Sequence, residues 1–528
     1  MRVERGAKIA MIKRILVIAE NINQLKAGVV LSYIAITIGT TVYLVYTPFM
    51  LRMLGISEYG LFSLVNSAIA YLAILDFGFA SAIVRFTAKF RAEKDIEKER
   101  SMHGMFFSIY IGIGALSFLL GLVIILNISS LFGKTLTATE LVTARVLMWL
   151  AVINISITFL FSIFTSILQA YGRFVFAQSL RVLRYVLIPL TMVAILSFGY
   201  RSIGMIAGST AINLLLSIAS AIYCIKNLGI RIKFSAFDVS LLKDVSAYSF
   251  FIFLGIIVDR LYWSTGQVML GALSGTAAIS IYAIAIQINM YYMELSTAIS
   301  SVFLPRITGI CMNNKDSNEL SEFFIKVGRI QFVVMALALS GFVIFGRRFM
   351  VLWAGPDYSN SYYVALLIII PLTVPLIQNI GITILQVKNK VAFRSILYVM
   401  IAIMNVFVSM PLIKKYGPLG AALGTAISLF VGHIIIMNIY YHKVIKLNVP
   451  KYWVEIGKMA PAVLLAIGIE LLILNYYSLK SSMGLVAQIA VFIFLYSIFM
   501  WVLGLNSYEK KLFAAPIRKI LGSNNKNP

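Results

Sequence analysis

Acidic side chains are scarce in this chain, with 20 Asp and Glu against 45 Lys and Arg in 528 residues. Charge of either sign is scarce as well, at 12% of residues, where a soluble domain carries about 25%. With 60% hydrophobic residues and a mean hydropathy of +0.93, the chain cannot cover itself with a hydrated surface, which excludes a soluble globular fold. Cysteine is nearly absent: Cys224 and Cys311 fall near predicted cytoplasmic helix ends and have no metal or redox spacing. Walker motifs, metal clusters and nucleophile–base constellations are missing too. An ATPase or a membrane enzyme therefore finds no support, and no cofactor is expected. No soluble domain is expected either, because the largest predicted loops, 226–248 and 306–330, have about 25 residues each, too few for a core of their own.

What the chain does have is apolar runs. Each of about 20 residues spans a hydrocarbon layer of roughly 30 Å as a helix. A transmembrane barrel, built of alternating strands of about 10 residues, is excluded by the continuous runs. Fourteen spans are expected, among them 28–51, 60–84, 249–273, 277–304, 363–387, 418–441 and 459–478. With the N-terminus inside, 35 of the 45 basic residues fall on the cytoplasmic side and 9 outside, with Arg260 near mid-helix. This bias predicts that both termini are cytoplasmic. Arg347 and Arg348 oppose it. The net charge of +25 is read as loop cations meeting anionic lipid, with no nucleic-acid partner expected. The basic start "MRVERGAKIAMIKR" reads as an amphipathic lead-in, since no short apolar core and small-residue cleavage site follow.

Two distant stretches resemble each other. "ILQAYGRFVFAQSL" from Ile167 matches "ILQVKNKVAFRSIL" from Ile384, pairing Gln169 with Gln386 and Phe176 with Phe393 at an offset of 217. "YRSIGMIAGSTA" from Tyr200 matches "YGPLGAALGTAI" from Tyr416, pairing Gly204 with Gly420 and Gly208 with Gly424. A shift of six helices keeps both copies in one membrane orientation, so the repeat is parallel. The expected layout is an amphipathic lead-in (1–27), an N-lobe (28–225), a cytoplasmic loop (226–248), a C-lobe (249–442), two further spans (443–505) and a cytoplasmic tail (506–528). The G-x-x-x-G pairs need only a packing role, since small residues at that spacing let helices approach.

An ionised side chain at mid-bilayer costs at least about 2.5–3.5 kcal/mol, so the few within spans are candidates for function. Asp76 lies roughly 24 Å into its span at 1.5 Å per residue. It is either a cavity acid or ion site, or a hydrogen-bonding group at a helix end. Arg85 is nine positions on and points to the opposite face, so the two are not expected to pair. "DFG" here matches a kinase metal site by letter only. Asp259 and Arg260 are neighbours near the middle of their span, with Arg260 expected to face a cleft or to be neutralised by Glu294. Glu294, beside tyrosines in "NMYYMEL", suits a polar cavity wall. His433 and Glu470 read as structural.

"LRMLGISEYGLFSLVNSAIAYLAILDFGFASAIVRFTAKF" (51–90) resembles the first helical hairpin of the polysaccharide-exporter branch of the MOP superfamily, which includes the Wzx-type flippases for O-antigen and related lipid-linked oligosaccharides. The pattern is LG-x-x-EYG, then D-x-G and an arginine. "VLWAGPDYSNSYYVALLIIIP" (351–371) and "KKYGPLGAALGTAISL" (414–429) resemble later segments of the same branch. The resemblance implies two six-helix lobes around a cavity formed mainly by spans one, two, seven and eight, with alternating access. The implied substrate is an undecaprenyl-pyrophosphate-linked oligosaccharide in the bacterial cytoplasmic membrane. Arg52, Arg85, Arg145 and Arg260 are then the cationic cavity candidates, and Asp76, Asp259 and Glu294 the acids for coupling to H+ or Na+. Membrane lipids and polysaccharide polymerase or assembly proteins are the implied partners. A MATE-type cation-coupled drug exporter would present a net acidic cavity. A lipid II or teichoic-acid flippase of the same superfamily is not separated by these motifs. A polymerase of the same pathway would carry a large basic outer loop, and the expected outer loops are short.

Overall fold

A computed structural model of the chain describes residues 24–234, 238–312, 317–476 and 481–522. The expected lead-in lies largely outside these residues, as do parts of the 226–248 loop and of the tail. The described residues are predominantly helical, with no strand among them. Without water in a bilayer core, a helix is the way for one segment to satisfy its own backbone polar groups. Among the described residues, twelve helical stretches are long and apolar enough to cross a membrane. The first, Val30–Ala92, holds two of the expected spans, and expected span 277–304 lies in helix Thr276–Met312. Each expected span is thus mainly helical over its described residues, with 60–84 interrupted at Phe77 and Gly78. By packing, the chain divides into Met1–Ser280 and Ile281–Pro528.

Where helices start, short polar side chains take up the free N–H groups of the first turn. Asp95 accepts from Lys98 N–H at 3.0 Å, Asp238 from Leu241 N–H at 3.0 Å, and Asn448 from Lys451 N–H at 3.1 Å. Thr137 and Glu140 form a reciprocal capping box at the start of Ala138–Ala170. The Asp238 cap starts its helix inside the expected 226–248 loop, and helices Thr276–Met312 and Ser317–Trp353 run through most of 306–330. The two longest expected loops are thus largely helix ends over their described residues. A second departure lies in 363–387, which breaks between Ser361–Ile377 and Ile380–Val387; Pro371 and Pro375 remove backbone donors just before the break.

The internal repeat has a structural signature. Phe176 stacks on Tyr223 with centroids 4.0 Å apart, and Phe393 stacks on Tyr440 at 4.0 Å, both partners displaced by the same 217 positions. The turn before each copy carries a left-handed residue at matching places, Gly172 (φ 65°) and Asn389 (φ 52°). In each copy the second glycine of G-x-x-x-G meets the preceding helix, so that a Cβ at Gly208 would overlap Ile195 and one at Gly424 would overlap Ser409. Close helix approach is their role, as expected.

In the second unit one cation gathers four segments. Arg329, 3% exposed on Ser317–Trp353, donates from Nε and Nη2 to the Glu509 carboxylate at 2.6 and 2.9 Å. It also donates to the Glu455 carbonyl at 2.7 Å and to the Gly504 carbonyl at 2.8 Å. Glu509 is 1% exposed and belongs to Ser507–Gly522, so this buried pair fastens the last helix. Arg348, which opposes the charge rule, donates to Gln488 Oε1 and to the Ser481 carbonyl, both at 2.9 Å. Its position answers to the start of Ser482–Phe499. Arg329→Ala, which strands a buried carboxylate, is expected to cost about 3–5 kcal/mol and to lower the thermal unfolding midpoint in detergent. The paired change Arg329→Met with Glu509→Leu is expected to lower it less.

Candidate functional site

The LG-x-x-EYG stretch is a junction. Gly55 (φ 77°, ψ 171°) divides Gln24–Ala70 into two helices, a left-handed backbone that a side chain would strain. Just beyond it, Glu58 accepts from Ser202 N–H at 2.9 Å, the Ser202 hydroxyl at 2.6 Å and Arg201 Nη1 at 3.0 Å. Glu58 therefore holds the N-terminus of Arg201–Lys226, where a carboxylate meets unpaired donors and the positive end of the helix dipole. Ser57 donates to Glu140 Oε1 at 2.5 Å, which also accepts from Thr276 at 2.8 Å. Gly60 lies so close to the Thr276 carbonyl that a Cβ would overlap it.

D-F-G is a second junction. The 3-10 segment Tyr71–Asp76 ends there, Phe77 (φ 51°) and Gly78 (φ 77°) reverse the backbone, and helix Phe79–Ala92 begins. Asp76 accepts from the Tyr110 hydroxyl at 2.8 Å and from the backbone N–H groups of Gly78 and Ala80. Its carboxylate thus serves the start of that helix. Arg85 lies exposed on the helix, 4.3 Å over the Tyr248 ring. Asp76 and Arg85 have separate partners on either side of the break.

Tyr248 belongs to Val239–Trp263, the helix that carries Asp259 and Arg260. This stretch is the least covered of the candidate spans, 11% buried where the others range from 22% to 56%. Its first half leans on the D-F-G turn, through Phe253 against Phe77 at 5.2 Å and the Ser249 hydroxyl on the Gly78 carbonyl at 3.5 Å. Beyond its far end, Gln267 accepts from Ser67 at 2.6 Å and Thr265 bonds Tyr71. Between these fixings the charges stand open: Phe251, Gly255 and Asp259 form an exposed stripe at intervals of four. Arg260 Nη1 is 3.8 Å from Asp259 Oδ2, a loose contact, and its Nε is buried with no protein acceptor.

The remaining candidates lie elsewhere. Arg52 is exposed before Gly55, and Arg145 is exposed with Nη2 3.4 Å from Ser129 Oγ. In the second unit Glu294 lies on the exposed face of Thr276–Met312. The opposite face is bonded inward by Tyr292 to Thr373 at 2.8 Å and by Ser296 to the Leu376 carbonyl at 2.7 Å. His433 bonds Tyr398 at 3.0 Å inside a π-helical turn, Phe430–Ile436. Glu470 is fully buried, and neither carboxylate oxygen has a protein partner.

The model of the polysaccharide biosynthesis protein family matches residues 25–311, more than half of the chain. The chain belongs to that family. Over 91% of its length and 95% of the other it is 22% identical to the uncharacterized membrane protein EpsK of Bacillus subtilis. It is 27% identical to the probable flippase AglR of Haloferax volcanii over 32% of this chain and 36% of AglR. Among solved structures, an inward closed conformation of the lipid II flippase MurJ superposes with a TM-score of 0.69 at 16% identity, covering 93% of this chain and 99% of MurJ. An inward-facing MATE transporter of the MOP superfamily gives 0.61 at 16% identity over 75% of this chain and 92% of its own. At these identities the two structures speak for the fold.

In this member of the polysaccharide biosynthesis family, sequence reasoning found the charged candidates within spans but missed the groups that fasten them. Glu58, Glu140 and Glu509 lie near predicted helix ends, where an acid draws no attention. The only signal was spacing, as in Thr137-x-x-Glu140, which reads as a capping box. Asp76 allows a direct test. Asp76→Asn keeps the shape and one acceptor oxygen, while Tyr110 as a hydroxyl can also accept from the new amide, and it is expected to leave protein level and glycan export near wild type. Asp76→Ala removes them and is expected to destabilise by about 1–3 kcal/mol, read as a lower unfolding midpoint. Loss of export in Asp76→Asn at normal protein level would instead assign the carboxylate's charge or proton to transport.

Proposed function

We propose that this chain is a flippase that moves an undecaprenyl-pyrophosphate-linked oligosaccharide from the cytoplasmic to the outer leaflet by alternating access, for surface polysaccharide assembly. Family membership supports the polysaccharide, and the fold shared with MurJ and a MATE transporter supports the transport mode. The observation that carries the reading is Arg260, a guanidinium in a barely covered span whose buried Nε has no protein acceptor. An arginine in that setting is poorly solvated and lacks a compensating bond. A pyrophosphate supplies anionic oxygens in the bidentate geometry that arginine prefers. Arg52, Arg85 and Arg145, all exposed, are the proposed remainder of the cationic path. The glycan needs a polar route, while the prenyl tail can stay in lipid.

For coupling to H+ or Na+, Asp259 and Glu294 are proposed on their exposure, and Asp76, whose carboxylate serves the start of a helix, is the weaker proposal. The proposed setting is the bacterial cytoplasmic membrane with both termini inside, beside polymerase or assembly proteins. A drug exporter of the MATE type handles cations, and a path dominated by arginines repels them. That balance of charge is why the glycan reading is preferred.

Loss of a charge-assisted contact of about 1.5–3 kcal/mol corresponds to roughly 10- to 100-fold in rate or affinity. Arg260→Ala is expected to lower surface glycan by that order at unchanged membrane level, with Arg260→Lys intermediate. Arg85→Ala is expected to lower export less, because its guanidinium also stacks on Tyr248. Wild-type export by both alanine variants at normal protein levels would remove the cationic path. Orientation is checked separately with Lys94→Cys and Lys233→Cys in a background lacking Cys224 and Cys311. Neither is expected to react with an impermeant thiol reagent in intact cells, and labelling of either would reverse the inside assignment.

A further inference from the structure

The second unit contains a cleft lined by none of the residues proposed above for transport. It lies where helix Ser317–Trp353 begins, beside the end of Thr276–Met312 and the start of Ser507–Gly522, with a volume of about 100 Å³. By this measure one water needs roughly 10–15 Å³, so the cleft suits a compact polar group and not a sugar chain. Both signs of charge line it: Arg306 and Lys326 on one hand, Glu319 and Glu322 on the other, with Phe323 and Tyr508 between aliphatic residues. The Arg306 guanidinium stands 5.4 Å from the Phe323 ring centre, and the Lys326 ammonium 5.6 Å from that of Tyr508. Glu322 also pairs with Lys451, with both side chains about half exposed (47% and 49%), and such pairs exchange partners at little cost.

The wall is a fixed one. Tyr508 directly precedes Glu509, which the buried Arg329 holds through two bonds, so the last helix presents its tyrosine at a set position. That helix, "SYEKKLFAAPIRKILG", alternates basic and apolar residues in the manner of helices that lie at the headgroup level of a membrane. On that reading of the helix, a cleft against it would open at the level of lipid headgroups. A purely anionic headgroup would meet two carboxylates there, and a purely cationic ligand would meet an arginine and a lysine. A ligand with a phosphate and an ammonium a few bonds apart satisfies both sets.

We propose that this cleft binds the headgroup of a phospholipid bearing a phosphate and a primary ammonium, with the phosphate on Arg306 and Lys326 and the ammonium between Glu319, Glu322 and the Tyr508 face. A primary ammonium has three N–H donors for the carboxylates, and a quaternary one has none. This inference does not rest on the flippase reading, and its test does not involve export.

The test is thermal unfolding of the full chain in nanodiscs of phosphatidylcholine alone, with added phosphatidylethanolamine, and with added phosphatidylglycerol. Phosphatidylethanolamine is expected to raise the midpoint by about 2 °C or more, as a ligand that binds the folded state does. Phosphatidylglycerol is expected to raise it less. The increment is expected to vanish in Arg306→Gln/Lys326→Gln and in Glu319→Gln/Glu322→Gln, and to persist in Lys226→Gln, which lies in the first unit. Each variant is compared with itself across lipids, so a lower baseline does not obscure the result. Equal shifts from phosphatidylglycerol, or a full increment in either double variant, would overturn the site. Soluble phosphoethanolamine that reproduces the shift in phosphatidylcholine discs would overturn the lipid as its source.

Discussion

A bilayer core offers no water to an unpaired N–H or carboxylate, and the whole architecture follows from that. Straight helix is self-sufficient, so the difficulty concentrates where helices begin, break or cross. The polar residues of this chain are found largely at those places. Glu58 serves the start of Arg201–Lys226, Asp76 that of Phe79–Ala92, and Glu140 both its own helix and the Gly55 turn. Their rarity, 20 acids in 528 residues, makes each assignment informative.

The same constraint separates two kinds of arginine. Arg329 is 3% exposed yet fully engaged, with a carboxylate and two carbonyls taking up its donors. Arg260 lies in the least covered span with a loose contact at 3.8 Å and a buried Nε without acceptor. Burial alone would rank Arg329 as the more unusual residue. Accounting for each donor reverses the ranking: Arg329 is closed by the protein itself, while Arg260 keeps a buried Nε without a protein acceptor.

Much of the fold was legible because the bilayer imposes a period and a length. Apolar runs located each span, and the match of Phe176 with Phe393 and of Gly208 with Gly424 exposed a repeat that the stacked rings on Tyr223 and Tyr440 display again in three dimensions. What was not legible was partnership at a distance. Nothing in a one-dimensional pattern joins Glu58 to Ser202 or Arg329 to Glu509, which are separated by 144 and 180 positions. Asp76 and Arg85 are separated by the helix break at Phe77 and Gly78 and not by the half turn of a continuous helix that spacing assumed, and only three-dimensional contact brought Tyr110 to Asp76. Arg348 looked like a violation of the charge rule because that rule counts lipid faces and not the carbonyls of helix turns.

The recurrent motif letters gain a physical meaning from this. Gly55, Glu58 and Gly60 make one turn that ties the first hairpin to the starts of two other helices, and Asp76 to Gly78 makes the next, on which the span carrying Arg260 leans. The letters by which the family resemblance is seen are thus hinge and cap positions, and they are silent on the glycan. The exposed residues of Val239–Trp263, among them Phe251, Gly255 and Asp259, are bound by no such backbone requirement, and the proposed substrate contacts are placed there for that reason. The ligand has to be argued, as for Arg260, from the donors that the fold leaves unsatisfied.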